Sequence, residues 1–252
     1  VSGTAEAATR SRTAELSTRL EESLARIEAA RAAAGRAPDS VRLLPVTKFF
    51  PASDVEILYR LGRREFGESR EQEAGAKVED VRAALPDRDS GIRWHMIGRL
   101  QRNKARAVAR WAHTVHSVDS ERLARALDIG ARAALDAGSR ADPLEVLIQV
   151  SLDGDPARGG VLPEELDRLA DLVAELPAVR LGGLMAIAPL GSEPDSAFAR
   201  LAILHTSLLT RHPTATELSA GMSGDLESAI EHGSTCVRVG TALMGPRPIT
   251  SA

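Results

Sequence analysis

Eight short runs rich in apolar and β-branched residues alternate with longer helix-patterned stretches, and no other feature narrows the fold so far. The runs are VRLLPVTK (41–48), REFGES (64–69), RWHMIG (93–98), TVHSV (114–118), LEVLIQV (144–150), VRLGGLMAI (179–187), TELSAG (216–221) and TCVRVG (235–240). Between them lie stretches such as SDVEILYRLG, REQEAGAKVEDVRAAL, SERLARALDIGARAAL and PEELDRLADLVAEL. Strict alternation implies parallel pairing, because each crossover between parallel strands takes a dozen or more residues. Eight such units in 252 residues predict a closed (β/α)8 TIM-type barrel. An open doubly wound sheet is the alternative, weakened because no Gly-x-Gly-x-x-Gly follows the first strand. An extra helix precedes the first unit, with Leu16, Leu20, Leu24 and Ile27 on one stripe and Gly35 at its end. The polar, Ala-rich residues 1–12 read as a flexible tail. Nothing splits the rest, so residues 1–252 are expected to be one domain.

A barrel turns position into meaning, since active sites of this fold lie at the C-terminal ends of the strands. Lys48 closes the first run and is one of three lysines, with Lys77 and Lys104, among 32 basic residues. Where arginine is the habitual cation, a lysine at a strand end is either an ordinary solvated charge or a group chosen because it can lose its proton and attack a carbonyl. Phosphate in this fold is often held by the loops after strands seven and eight. There the sequence places Ser219, Gly221 and Ser223, then Gly240 and Thr241. Ser223 reads as the N-cap of the helix that follows, and Gly240 allows a close backbone approach. Two ordinary strand-to-helix turns would look the same. Arg238 shares a strand face with Gly240. If that face is the lumen, the guanidinium needs a partner, for which a carboxylate is the simplest choice.

Other candidates are weaker. Trp94 and His95 point to opposite faces, so one enters the barrel and the other meets the helix layer. Arg99, Arg102, Arg106 and Arg110 form a basic helical stripe without interleaved aromatics, the pattern of a solvated face. His113 and His116 resemble a metal pair, but alternation sends two strand residues three apart to opposite sides. Cys236 reads as a small buried hydrophobe, and a lone cysteine makes no internal disulfide. A net charge of −3 argues against a general nucleic-acid binder. No segment has the roughly 18 uninterrupted apolar residues of a membrane span. With no apolar signal core at the N-terminus, the cytoplasm is the expected compartment.

Lys48, FGES, WHMIGRLQRNK, HSVDS, GLMAI, LSAGMSGDLESAI and GSTCVRVGTALMG together resemble the pyridoxal phosphate homeostasis protein (PROSC-like, YggS-like) family, related to the N-terminal barrel of alanine racemase. The likeness runs from about residue 41 to 247. It implies a fold-type III barrel carrying pyridoxal 5'-phosphate (PLP), with Lys48 of the V-[ST]-K strand forming the internal aldimine. It also implies that Arg238 faces the pyridine nitrogen, that Gly240, Thr241, Ser219, Met222 and Ser223 lie at the phosphate, and that Met185 lines the pocket. Three positions depart from the family pattern: Ser69 stands for an Asn, Ala220 for a Met, and Arg102 for a Ser.

The resemblance implies a non-catalytic carrier and regulator of PLP and related B6 vitamers, monomeric, with PLP-requiring enzymes as recipients. A PLP-dependent racemase is the alternative. It needs an acid–base group on the ring face opposite the lysine, which in alanine racemase is a tyrosine from a second domain. Here the sequence runs twelve residues past Gly240, and its one tyrosine, Tyr59, sits in the helix-patterned DVEILYRLG on the barrel exterior.

Overall fold

The structure is a computed structural model that describes residues 2–85, 91–155, 157–189, 191 and 193–247, with side chains described from residue 6. All eight expected runs are strands: β1 (Arg42–Pro45), β2 (Glu65–Glu68), β3 (Arg93–Met96), β4 (Ala112–Val118), β5 (Leu144–Gln149), β6 (Val179–Met185), β7 (Glu217–Met222) and β8 (Cys236–Val239). They pair in parallel, in the order β1-β8-β7-β6-β5-β4-β3-β2. The two ends of the sheet meet at a bridge between Val46 and Gly67, where the Thr47 N–H donates to the Gly67 carbonyl at 3.0 Å. The result is a nearly closed barrel. Helices α1 (Ser2–Ala33), α2 (Ala52–Arg60), α3 (Glu71–Ala84), α4 (Ala105–Trp111), α5 (Glu121–Asp136), α6 (Leu166–Glu175), α7 (Pro194–Arg211), α8 (Leu226–Glu231) and α9 (Thr241–Met244) complete the described elements.

Helix α1 begins earlier than the sequence suggested. Residues 2–12, expected to belong to a tail, are its first turns, and Arg12 at their end is already anchored, donating to Asp54 of α2 at 2.7 Å and to the Met244 carbonyl at 2.9 Å. The helix ends at Gly35, whose φ of +64° is the left-handed value that closes helices cheaply only at glycine. Leu16, Leu20 and Ile27 are buried against the barrel, each worth about 1.5–3 kcal/mol of transfer free energy. They share a core with Phe66, Trp94, Val237 and Val239. Trp94 therefore faces the helix layer, packing on Phe66 at 5.6 Å between ring centroids, and His95 enters the lumen.

Two expectations fail. The basic stripe is not one helix, because Arg99 precedes a 3-10 turn at Arg102–Lys104 and only Arg106 and Arg110 lie in α4. The two histidines of β4 are not kept apart by alternation. A register shift at Trp94/His95 bends the β3–β4 pairing, and the rings of His113 and His116 come within 6.3 and 5.2 Å of the His95 ring.

Candidate functional site

The C-terminal end of the barrel opens into a pocket of about 270 Å3. Lys48, Met222, Ser223, Arg238, Gly240 and Thr241 line it, together with Phe49, Ile97, Gly224 and Arg247. Six of the eight residues singled out in the sequence thus converge from the ends of β1, β7 and β8. Met185 and Ser219 do not line it. They pair in register on β6 and β7 and are buried in the barrel interior, where side chains fill the lumen below the mouth.

Lys48 sits beyond its strand, not at its end. β1 stops at Pro45, and Thr47–Phe50 form a turn closed by the Phe50 N–H on the Thr47 carbonyl at 3.1 Å. Phe49 has φ +69°, the sign a type II turn demands at its third residue and one a bulky side chain rarely adopts. The turn is pinned from below. Lys77 of α3 donates to the same Thr47 carbonyl at 2.9 Å and to Glu68 Oε1 at 2.7 Å, and the Thr47 hydroxyl donates to that oxygen at 2.7 Å. Lys77 and Glu68 are both buried. Lys48 itself is half-buried, and burial pushes its pKa below the usual lysine value. Arg247 adds repulsion, Glu68 opposes it, and Arg70 adds to it again. All three cations, Lys48, Arg70 and Arg247, stand within 5.9 Å of the Phe49 ring centroid.

At the opposite wall, Ser223 is not an N-cap. Helix α8 starts at Leu226 with Asp225 at the cap position, and the Asp225 carboxylate accepts the Met222 N–H at 2.6 Å. The carboxylate is thereby turned into its own loop, leaving Ser223 and Gly224 at the tip toward the pocket. Gly221, at φ +89°, is required here, since a Cβ would stand 2.7 Å from the Ala229 methyl. Thr241 opens α9, where an N–H has no acceptor within its own helix. Helix α1 braces both turns. Arg26 donates to the Ser223 carbonyl at 2.7 Å, as Arg12 does to Met244.

Arg238 is buried and, among the described residues, pairs with no carboxylate. Its Nη1 donates to Ser219 Oγ at 2.7 Å and its Nη2 to the Ala186 carbonyl at 2.8 Å. Burial lowers its pKa from the usual arginine value, though an arginine so lowered is still a cation and a pure donor. Behind it runs a chain of contacts that no local pattern marks: His116 Nδ1 lies 2.9 Å from Ser219 Oγ, and His116 Nε2 lies 2.9 Å from His95 Nδ1.

Residues 20–248 match the family described as alanine racemase, N-terminal domain. A protein of Mycobacterium tuberculosis named pyridoxal phosphate homeostasis protein is 53% identical over 247 residues, covering 95% of this chain and 96% of that one. The chain belongs to the pyridoxal phosphate homeostasis protein family. Among solved structures, an unknown protein from Bifidobacterium adolescentis superposes with a TM-score of 0.84 at 33% identity, over 92% of this chain and 96% of its own. PipY of Synechococcus elongatus, in a structure described as having PLP bound, gives 0.72 at 37% identity, over 87% of this chain and 99% of its own.

The donor set suits a phosphorylated aldehyde. It offers one amine of lowered basicity, hydroxyls and backbone amides at two turns, and a buried arginine on the wall between them. Ser69, where the family has Asn, is not in this pocket but in an adjoining cleft with Arg70, Arg99 and Lys104. Neither Tyr59 nor Cys236 reaches the pocket. Tyr59 carries the Arg64 guanidinium 3.9 Å above its ring, and Cys236 is a buried thiol pushed up to about 11 by burial.

Proposed function

We propose that the chain holds PLP in this pocket and serves PLP homeostasis as a carrier and regulator, without turnover of its own. The names of its relatives support the role, and the PLP-bound structure described for PipY supports the ligand. Lys48 would supply the amine that holds the aldehyde group. Ser223, Gly240 and Thr241, with the amides of their turns, hold the phosphate, and Met222 covers it. Arg238 presents a donor to the ring nitrogen. An aldehyde-bearing ring so held supplies electrophilic and electron-withdrawing chemistry to amines, and a donor-only neighbour keeps its nitrogen unprotonated and that chemistry weak. Met185 and Ser219 act behind Arg238.

One observation carries the non-catalytic reading. Among the described residues that line the pocket, the ionisable groups are Lys48, Arg238 and Arg247, and of these only the lysine can give up its proton. A racemase needs a second such group across the ring. Related B6 vitamers that keep the phosphate are the further ligands we assign, and PLP-requiring enzymes the recipients. Among the described residues no helix is long and apolar enough to cross a membrane. A cytoplasmic role fits the single buried, unpaired thiol of Cys236. A monomer fits the scatter of the exposed large apolar residues, Ile129, Leu162, Ile203 and Met222, over four separate segments.

Borohydride reduction of the PLP-loaded protein followed by peptide mapping tests the assignment. The label should sit on Lys48, and Lys48→Ala should fold but lose the visible band. A label on Lys77 or Lys104 would reject it. Rapid deuterium exchange at Cα of L-alanine, with the D-form appearing, would move the protein to the racemases.

A further inference from the structure

Five side chains form a line through the barrel interior, from the pocket to the N-terminal end of the strands. Arg238 Nη1 meets Ser219 Oγ at 2.7 Å, Ser219 Oγ meets His116 Nδ1 at 2.9 Å, and His116 Nε2 meets His95 Nδ1 at 2.9 Å. His95 Nε2 is buried without a hydrogen-bond partner, and the Glu65 carboxylate lies 3.9 Å from it. Glu65 is held in turn by Arg42 at 3.0 Å, in a charged cleft that also contains Arg93 and His113.

The direction of these bonds follows from what each group can do. Arginine only donates, so Ser219 accepts from Arg238. The serine has one hydrogen, and among the described residues the acceptor within its reach is His116 Nδ1. A His116 that accepts at Nδ1 and is neutral carries its proton on Nε2, and that proton must go to His95 Nδ1. His95 is then left with its own proton on Nε2, pointing to the Glu65 carboxylate, which only accepts. The reverse polarity would strand the serine hydrogen and aim a bare nitrogen lone pair at a carboxylate. Burial lowers the basicity of both rings, first by desolvation and then through neighbouring arginines and histidines, which keeps them neutral.

We propose that the lumen holds a one-way hydrogen-bond relay, Arg238 to Ser219 to His116 to His95, whose last N–H faces the Glu65 carboxylate across 3.9 Å, with both histidines fixed as Nε2–H tautomers. His116 and His95 are then positioning residues: they orient Ser219, which orients the Arg238 guanidinium at the pocket wall. The tautomers stand on the contacts alone, whereas the positioning role rests on the reading of the pocket as a PLP site.

Nitrogen NMR of the cofactor-free wild-type protein, with labelled histidine, decides the first part. Both rings should show a pyrrole-type Nε2 and a pyridine-type Nδ1, and Ser219→Ala should shift His116 Nδ1 as it loses its donor. A proton on His116 Nδ1 overturns the relay whether or not PLP binds. The second part is read in PLP-loaded protein. His116→Leu should shift the visible band and weaken binding by about tenfold, the value of one charge-assisted bond to a misplaced arginine. His116→Asn keeps an acceptor near the Nδ1 position and should restore the wild-type band. Leu and Asn variants that both bind and absorb like wild type would remove the positioning role. The wild-type tautomer measurement stands even if a variant does not fold.

Discussion

Lys77 reaches from α3 to the residue just before Lys48, donating from Nζ to the Thr47 carbonyl at 2.9 Å. The same ammonium pairs with Glu68, whose Oε1 also accepts from the Thr47 hydroxyl. A buried ion pair therefore holds the turn that presents Lys48, including Phe49 at its unfavourable φ of +69°. Such strain costs on the order of 1–2 kcal/mol and persists only where the surroundings fix it.

Removing the cation alone should be severe. Lys77→Met leaves Glu68 charged in the interior, at a cost of about 3–5 kcal/mol in urea unfolding. Lys77→Met combined with Glu68→Gln should recover part of that loss, since no unpaired charge remains. PLP affinity should stay reduced in both, because the Thr47 carbonyl has lost its tether. Equal stability of the single and double variants would show that the pair does not hold the turn.

Lys48 should react at lower pH than a lysine side chain free in water. Burial and the repulsion of Arg247 and Arg70 favour the neutral amine of Lys48, outweighing Glu68. Acylation of the cofactor-free protein with a small neutral reagent, followed by peptide mapping across pH, reads this directly. Arg247→Gln removes a repulsion and should move the Lys48 profile to higher pH. A profile for Lys48 that coincides with that of a lysine in a short free peptide would count against the assignment of a poised amine.

The barrel and the outline of the pocket were legible because both rest on local patterns. Eight apolar runs separated by helix periods leave a parallel sheet little choice, and Lys48, Ser223, Arg238, Gly240 and Thr241 follow from strand ends. What was not legible depends on distance in sequence. Arg26 touches the Ser223 carbonyl from 197 residues away, and nothing in the α1 stripe marks it out from other exposed arginines. Lys77 lies on a helix whose charges look solvated, and only the closure of β1 onto β2 places Glu68 beneath it. Ser219 carries the right residue type for phosphate, yet β7 alternation sends it into the lumen, to Arg238. The turn at Phe49 was hidden as well, because no local rule predicts left-handed backbone at a phenylalanine.

The phosphate should dominate affinity. If the turns at Ser223–Gly224 and Gly240–Thr241 hold it, each charge-assisted bond contributes about 1.5–3 kcal/mol. Pyridoxal, which lacks the phosphate, should therefore bind at least ~100-fold more weakly than PLP. Gly240→Val should harm binding more than Thr241→Ala. A Cβ at Gly240 meets Val46 at an ordinary 3.6 Å, so the fold tolerates it while the branched side chain fills the pocket. Equal affinity for pyridoxal and PLP, by titration of the wild type, would show that these turns hold no phosphate.

Acid should weaken the fold through the lumenal histidines. In the unfolded chain His95 and His116 take up protons near their ordinary pKa of 6.5, whereas burial pushes both well below that value in the native protein. Below pH 6.5 the unfolded state thus binds more protons than the native state, so stability falls as pH falls. Each such histidine contributes about 1 kcal/mol over the first pH unit below 6.5, approaching about 1.4 kcal/mol per unit further down until its native pKa is reached. His113 and His205, lowered less, add in the same direction. Urea unfolding between pH 6.5 and 5.5 lies in this window and above most carboxylate titrations. The wild type should lose about 2 kcal/mol there from the buried pair, and His116→Asn, with one fewer ring to protonate, about half as much. A variant that keeps the full wild-type slope would mean that His116 is not the neutral, buried base that the Ser219 contact requires.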